Sequence, residues 1–560
     1  MRIGRSILLV IAATLSSAAI SFGQGSGPAT GTISGRVTAN AGSVVALRVK
    51  ARDSERRVAY VVFTNQGRYH IFNLLPGKYA VSVLETNFDS TSVNVALKAG
   101  ETKTADIVLT AKAPPQAAEF VDFDTLWPPG PGRDLMLQNC LGCHSLEHIP
   151  FQTMGPWDEQ EWRSAVNTMF APSPTRAKLP VSSPETISVE QRETITKYLA
   201  NTFGKNAKRL DLRRAPVPLD ENVLTRAMYI QYELDPSISL QENTTYVDRK
   251  TSTIWLVGEN REKIVAVDIN DAHGPIAPAR ARVWAIPHVG NASPVAYGIT
   301  GSMGLIYWAQ MGTSSIGELN PQTGEIHRYD LPTPGAPHTA DVDSKGNVWF
   351  SEMYTSNKIG RFDPRTKKIT EWNPSPKYRN ASYYGITVDN QDRVWSVGIS
   401  GHIVVGYDPR TDEWTTYPTP TQPSGPRRIT SDSKGFPWFT ESLGDALGML
   451  DPETGKITEY RVPLPRAGEH SVQADGDDTI WVGLRTYNVL ARFDRKTKKF
   501  DYFHYPVPFG HSSKLERDAQ GNIVMQISGI CRGNCAIGQK YPNVVTVFKP
   551  NGNVVNSSKN

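Results

Sequence analysis

At 560 residues the chain is too long for a single hydrophobic core, so several domains are expected. Hydrophobic residues make up 39% and charged residues 21%, a globular balance that excludes a disordered chain. The net charge of +5 is small for this length and does not point to nucleic acid; short runs such as Arg365-Thr366-Lys367-Lys368 read as solvated turns.

In chain order, residues 1–23 read as an export signal. Arg2 and Arg5 supply a basic start, and Ile7 to Ile20 is apolar but too short and too rich in Ala and Ser to span a bilayer. Ser21 and Gly23 suit cleavage, no cysteine follows to anchor a lipid, and no later stretch looks like a transmembrane segment. A periplasmic or secreted protein is expected, in a compartment where disulfides persist.

Residues 30–112 alternate apolar and polar positions between turn signals, as in Ile33-Ser34-Gly35-Arg36-Val37 and Tyr79-Ala80-Val81-Ser82-Val83, with Leu75-Pro76-Gly77-Lys78 as a tight turn. They predict a small β-sandwich. The patterns Gly31 to Val37, Gly67-Arg68-Tyr69-His70-Ile71 and Leu75-Pro76-Gly77-Lys78-Tyr79 resemble the carboxypeptidase regulatory-like (transthyretin-like) domain, a module that is usually non-catalytic.

Ala111 to Gln116 is a Pro/Ala linker. Residues 123–206 then carry Cys140-Leu141-Gly142-Cys143-His144, the C-x-x-C-H spacing by which two thiols tether haem c and the adjacent imidazole takes the iron. One covalent haem is expected on Cys140 and Cys143, with His144 as proximal ligand. Trp162, Val166 and Met169 share a helical face, and Ser188 with Gln191 forms a capping box that opens a further helix. This stretch resembles a class I cytochrome c. The distal ligand is then Met169 or, as the alternative, Met154; His148 stands too close to His144 to reach the other side of the haem. Two filled axial sites mean outer-sphere electron transfer with a redox partner protein or small organic substrate.

Residues 207–234 read as a linker. From 235 to 552 a short aromatic strand recurs, centred on Trp255, Tyr307, Trp349, Trp395, Trp438, Trp481 and Val524, at spacings of 52, 42, 46, 43, 43 and 43 residues. Strand-and-turn segments such as Asp451-Pro452-Glu453-Thr454-Gly455 lie between, so seven four-stranded propeller blades are predicted. The fold class is therefore multidomain and mainly β: an N-terminal sandwich, a small all-α cytochrome c domain and a C-terminal seven-bladed β-propeller. Cys531 and Cys535 read as a local disulfide, with a free thiol pair or a metal site as alternatives.

The blade segments Gly385-Ile386-Thr387-Val388-Asp389, Val348-Trp349-Phe350-Ser351-Glu352 and Trp438-Phe439-Thr440-Glu441 resemble virginiamycin B lyase-like (streptogramin lyase) propellers. That resemblance implies a histidine general base, acidic residues and magnesium at one end of the axis, opening a lactone by elimination. His470, His511 and His338 occupy the matching blade starts. In the last blade, however, Phe509 and the apolar strand Ile523 to Ile527 stand where the lyases carry acids. Glu352 and Glu441 read as blade architecture. The sequence therefore favours an exported electron-transfer cytochrome with the propeller as substrate-binding module. The alternatives are a propeller-based C–O lyase, with magnesium only in that case, or a haem-linked periplasmic oxidoreductase.

Overall fold

The computed structural model describes residues 30–85, 87–112, 125, 127–139, 157–170, 187–207, 216–235, 238, 244–258, 262–269, 281–353, 356–378, 381–507, 510–529 and 544–554. Cys140, Cys143, His144, Met154, Cys531, Cys535 and the side chain of Met169 lie outside the described residues.

The N-terminal region is a sandwich. One sheet orders Arg68–Leu74, Gly31–Ala39, Ile107–Ala111 and Phe88–Ser90, with Thr102–Thr104 also on Gly31–Ala39; the other orders Val58–Phe63, Arg48–Asp53, Gly77–Val83 and Val93–Leu97. Alternation puts Ile33, Val49, Ala51, Tyr69, Ile71, Tyr79 and Val81 between the sheets, almost wholly buried. Burying that face is the main drive to form the unit, at roughly 25 cal/mol per Å² of apolar surface.

Among the described residues, helices α1 (Pro131–Asn139), α2 (Glu159–Phe170) and α3 (Val189–Phe203) follow. Ser188 caps α3 as its spacing predicts, accepting from the Gln191 amide while the Gln191 side chain accepts from Ser188 N–H. Trp127, Met136, Trp162, Val166, Ile195 and Leu199 make a common apolar core. Gly132 lets α1 cross α3 closely, because a Cβ there would stand 2.3 Å from Tyr198 Cβ. The described residues thus show a small helical unit with a core of its own.

Residues 216–234, within the expected 207–234 linker, contain α4 (Glu221–Leu224) and the strand Met228–Glu233. That strand explains how the propeller closes. Six four-stranded antiparallel sheets form blades 1 to 6, beginning at Thr245, Ala296, Pro337, Tyr383, Pro426 and Glu469. Blade 7 takes Leu515–Arg517, Ile523–Gln526 and Val544–Lys549 from the end of the chain and Met228–Glu233 as its outer strand. The outer strand then pairs on its free side with Val58–Phe63, Tyr229 opposite Val61 and Tyr232 opposite Val58. Sandwich and blade 7 therefore share one eight-stranded sheet.

The shared sheet is backed by a shared core. Phe63 and Val61 of the sandwich pack with Tyr229, Trp481, Phe503 and Phe548 of the propeller. Arg48 donates to the Tyr505 carbonyl at 2.6 Å, and Arg52 pairs with Glu233 at 2.6 Å. Asn553 donates to the carbonyls of His70 and Thr225 at 2.8 and 2.9 Å. The sandwich is thus docked on the propeller wall by backbone, apolar and polar contacts together.

Each central blade is clasped in one way. Asp343, Asp389, Asp432 and Asp475 accept the indole N–H of Trp349, Trp395, Trp438 and Trp481, six residues on, at 3.0, 2.9, 3.1 and 2.8 Å. The other carboxylate oxygen accepts the backbone N–H groups two and four residues on, as at Gln391 and Arg393. This fixes the turn between the first two strands of the blade. In blade 7 Asp518 keeps the backbone bonds, and Asn522 takes the indole's place at 2.8 Å.

Candidate axial site

The innermost strands of blades 2 to 6 each carry a register shift just past their first residue. The residue after that start is Tyr297, His338, Tyr384, Arg427 and His470, and the matching position in blade 7 is His511, paired with Ser528. One structural position, repeated around the ring, thus converges on the axis. The three histidines singled out from the sequence, His338, His470 and His511, occupy it and are 2%, 2% and 1% exposed. Sequence reasoning missed their companions Tyr297, Tyr384 and Arg427. A signal was present: His338, Tyr384, Arg427 and His470 each stand eleven residues before the blade tryptophan.

The side chains meet across the axis. Tyr297 and His338 rings stand 4.5 Å apart, and His338 and Tyr384 rings 4.2 Å. The Tyr384 hydroxyl lies 3.4 Å from His470 Nε2, with the rings at 88°. Arg428, the next residue along blade 5, donates from Nη1 to Thr339 Oγ1 at 2.8 Å, and Thr339 Oγ1 is 3.0 Å from His338 Nδ1. Arg485, where the second strand of blade 6 ends, reaches Ser513 at 3.1 Å.

Positive charge dominates this cluster. The guanidinium carbons of Arg427 and Arg428 lie 5.1 and 4.8 Å from the Tyr384 ring centre. They are thus no more than about 10 Å apart, where like charges repel by at least ~1.5 kcal/mol at an effective dielectric of about 20. Cation–π attraction to Tyr384 offsets part of that cost. Burial, then Arg485, Arg427, Arg428 and His511, hold His470 well below the ordinary histidine range, so its imidazole is neutral. Burial also lowers Arg428, with Arg427 and Arg485 adding to the effect.

A cavity of about 400 Å³ lies against the inner strands of blades 3 to 7, with Thr339 and Arg428 in its wall, while His338, His470 and His511 stand behind that wall. Asp341, Lys514, Glu516, Arg517 and Arg249 line it farther along. Asp341 accepts from Val388 N–H at 2.8 Å, and Lys514 pairs with Glu516 at 2.6 Å.

Glu352 and Glu441 do not reach the axis group. Each ends a second strand, fully buried, opposite the start of an inner strand, Pro337 or Pro426. Burial, then the neighbouring Glu371, pushes Glu352 up to about 8; burial, then Glu459, pushes Glu441 up to about 9.

The donor set of the axial cluster does not fit magnesium. Hard divalent cations take several oxygen ligands, whereas the residues here are imidazoles, phenols and guanidiniums, and the last repel a cation. No group of three His, Cys, Asp or Glu able to hold a metal occurs among the described residues. No helix among them is long and apolar enough to cross a membrane.

Fold and site define a seven-bladed β-propeller with a buried, basic and aromatic axial cluster, joined edge to edge with a β-sandwich. Residues 252–493 match the virginiamycin B lyase family and residues 32–110 the carboxypeptidase regulatory-like domain, so the chain carries a propeller of the first kind and a domain of the second. The matched stretches leave out the helical unit. A streptogramin B lyase structure is 19% identical, covering 58% of this chain and 97% of its own, with a TM-score of 0.49. A virginiamycin B lyase from Staphylococcus aureus is 20% identical, covering 57% of this chain and 99% of its own, with a TM-score of 0.47. A catalytically inactive histidine-to-alanine variant of that organism's enzyme, with quinupristin, is 19% identical over 57% and 99% of the two chains, with a TM-score of 0.48. No curated protein matches the chain.

Proposed function

We propose that this is an exported protein whose propeller is the functional centre, binding a small organic molecule on the axis and opening an ester in it by elimination, as a C–O lyase. The match of residues 252–493 to the virginiamycin B lyase family supports the reading. The observation that carries it is His470, buried and held neutral, with Nε2 beside the Tyr384 hydroxyl and Nδ1 without a hydrogen-bond partner among the described residues. With Nε2–H donating to Tyr384, Nδ1 presents its lone pair as a general base. It takes the proton from the carbon next to a carbonyl. The C–H electron pair forms a C=C bond, the C–O bond to the neighbouring carbon breaks, and the oxygen leaves as a carboxylate. No step runs through a metal.

The test is incubation with quinupristin and mass analysis. Elimination gives a ring-opened product of unchanged mass, whereas hydrolysis adds one water. His470→Ala should slow ring opening by about 10²-fold or more, the usual contribution of a general base. Ring opening that adds water, or a His470→Ala variant as active as the parent, overturns the reading.

A second activity is favoured by one observation in the sequence, Cys140-Leu141-Gly142-Cys143-His144. Helix α1 ends at Asn139, immediately before it. Cys140 and Cys143 would tether haem c, His144 would be its proximal ligand, and Met169 or Met154 the distal one. The haem, when bound, supplies one-electron exchange with a redox partner or small organic substrate. Expression with a periplasmic haem-maturation system should give one covalent haem per chain in a pyridine haemochrome assay. Absence of covalent haem removes this activity and leaves the propeller reading intact.

A further inference from the structure

We propose that Arg428, with Arg427 and Arg485 nearby, forms a carboxylate-binding site on the propeller axis, for a carboxylate borne by the ligand or released when its ester opens. The inference rests on the reading of the axis as a ligand site and adds the substrate class. Arg428 is 5% exposed yet lines the axial cavity. Its Nη1 is committed to Thr339, while Nε has no hydrogen-bond partner among the described residues. Nε and the second terminal nitrogen form the edge of a guanidinium that grips a carboxylate with two parallel hydrogen bonds. A buried guanidinium with an open edge is costly unless an anion completes it.

The surroundings favour the same partner. After burial, the strongest influences on Arg428 are Tyr384, Arg427, Arg485 and Tyr297. Each carboxylate of the cavity wall already has a partner: Asp341 accepts from Val388 N–H, Asp478 accepts from Ser433, and Glu516 pairs with Lys514. Asp389 holds Trp395 and Arg393, Asp432 holds Trp438 and Arg495, and Asp475 holds Trp481. Farther along the wall Lys514 is paired with Glu516 at 2.6 Å, and Arg517 donates to the Asp475 carbonyl at 2.9 Å. The cavity volume suits a small organic molecule. Thr339 spans Arg428 and His338, so a bound carboxylate would sit beside the histidine cluster.

The experiment is a melting-temperature titration of the full chain with acetate, benzoate and succinate. Benzamide serves as the neutral counterpart of benzoate, and sodium chloride matches the ionic strength. At least one carboxylate should raise the melting temperature in a saturable way while benzamide and chloride do not, and Arg428→Gln should weaken that carboxylate at least tenfold. If Arg428→Gln fails to fold, crystals of the parent soaked in 4-bromobenzoate take its place. The bromine should then appear in the axial cavity with its carboxylate on Arg428. No carboxylate acting beyond chloride, benzamide matching benzoate, unchanged affinity in Arg428→Gln, or bromine found only elsewhere overturns the proposal. Carboxylate binding without quinupristin ring opening defeats the lyase reading alone. Ring opening that depends on His470, with no carboxylate binding, defeats this inference alone.

Discussion

Replacing Tyr229 by alanine tests whether sandwich and propeller are one cooperative body. The Tyr229 ring is fully buried in the shared core, 4.6 Å from the Phe548 ring and 6.3 Å from Phe63, and its hydroxyl donates to the Phe503 carbonyl at 3.3 Å. Removing a buried aromatic ring costs about 3–5 kcal/mol, and orphaning a buried carbonyl adds about 1 kcal/mol. A unit of this size shifts by roughly 1–2 °C per kcal/mol, extending the usual size scaling, so a fall of about 5–10 °C is expected. Scanning calorimetry should show one transition for sandwich and propeller, moved as a whole. Tyr229→Phe, which keeps the ring contacts, should lose only about 1 kcal/mol. Two separate transitions, with the sandwich melting unchanged in Tyr229→Ala, would refute the shared core.

Three further outcomes can be measured on the same protein. Glu352 and Glu441 hold their protons up to about 8 and about 9, whereas the unfolded chain releases them in the ordinary carboxylate range. The folded state therefore binds more protons over that window, so stability should fall as pH rises from about 5 to about 9, and the fall should flatten in Glu352→Gln and Glu441→Gln. Trp395→Phe takes the indole donor from Asp389 and should cost about 1–3 kcal/mol in denaturant unfolding, whereas Trp308→Phe removes an N–H with no partner among the described residues and should cost clearly less. Gly132→Val places a branched side chain against Tyr198 and should destabilise the helical unit by about 1–3 kcal/mol, read as earlier proteolysis between α1 and α3.

The sequence carries the propeller because one constraint recurs in it. An aspartate six residues before a tryptophan makes the same clasp in four blades, so the period survives while loop lengths drift. The sandwich is legible for the related reason that strict alternation leaves little choice of buried face. Met228–Glu233 is not legible as a blade strand. It is separated by some three hundred residues from Val544–Lys549, and local pattern carries no trace of a partner so distant. The axial histidines could be read because histidine is rare here, with 11 in the chain. Arg427 and Arg428 look like surface charge until the register turns them inward, since arginine is ordinarily exposed and only three-dimensional context reveals the exception.

The strand 228–233 has a consequence for the order in which the molecule is built. A propeller that closes with strands from its two ends must keep the first of them waiting, its hydrogen-bonding groups bare, until the last emerges, and such a row invites mispairing. Here the sandwich has been made already. Its Val58–Phe63 strand offers a ready template on which 228–233 can be parked, half satisfied and correctly oriented, through the synthesis of six blades. The sandwich thereby acts as a built-in jig, and the final strand finds a docked partner rather than a loose one.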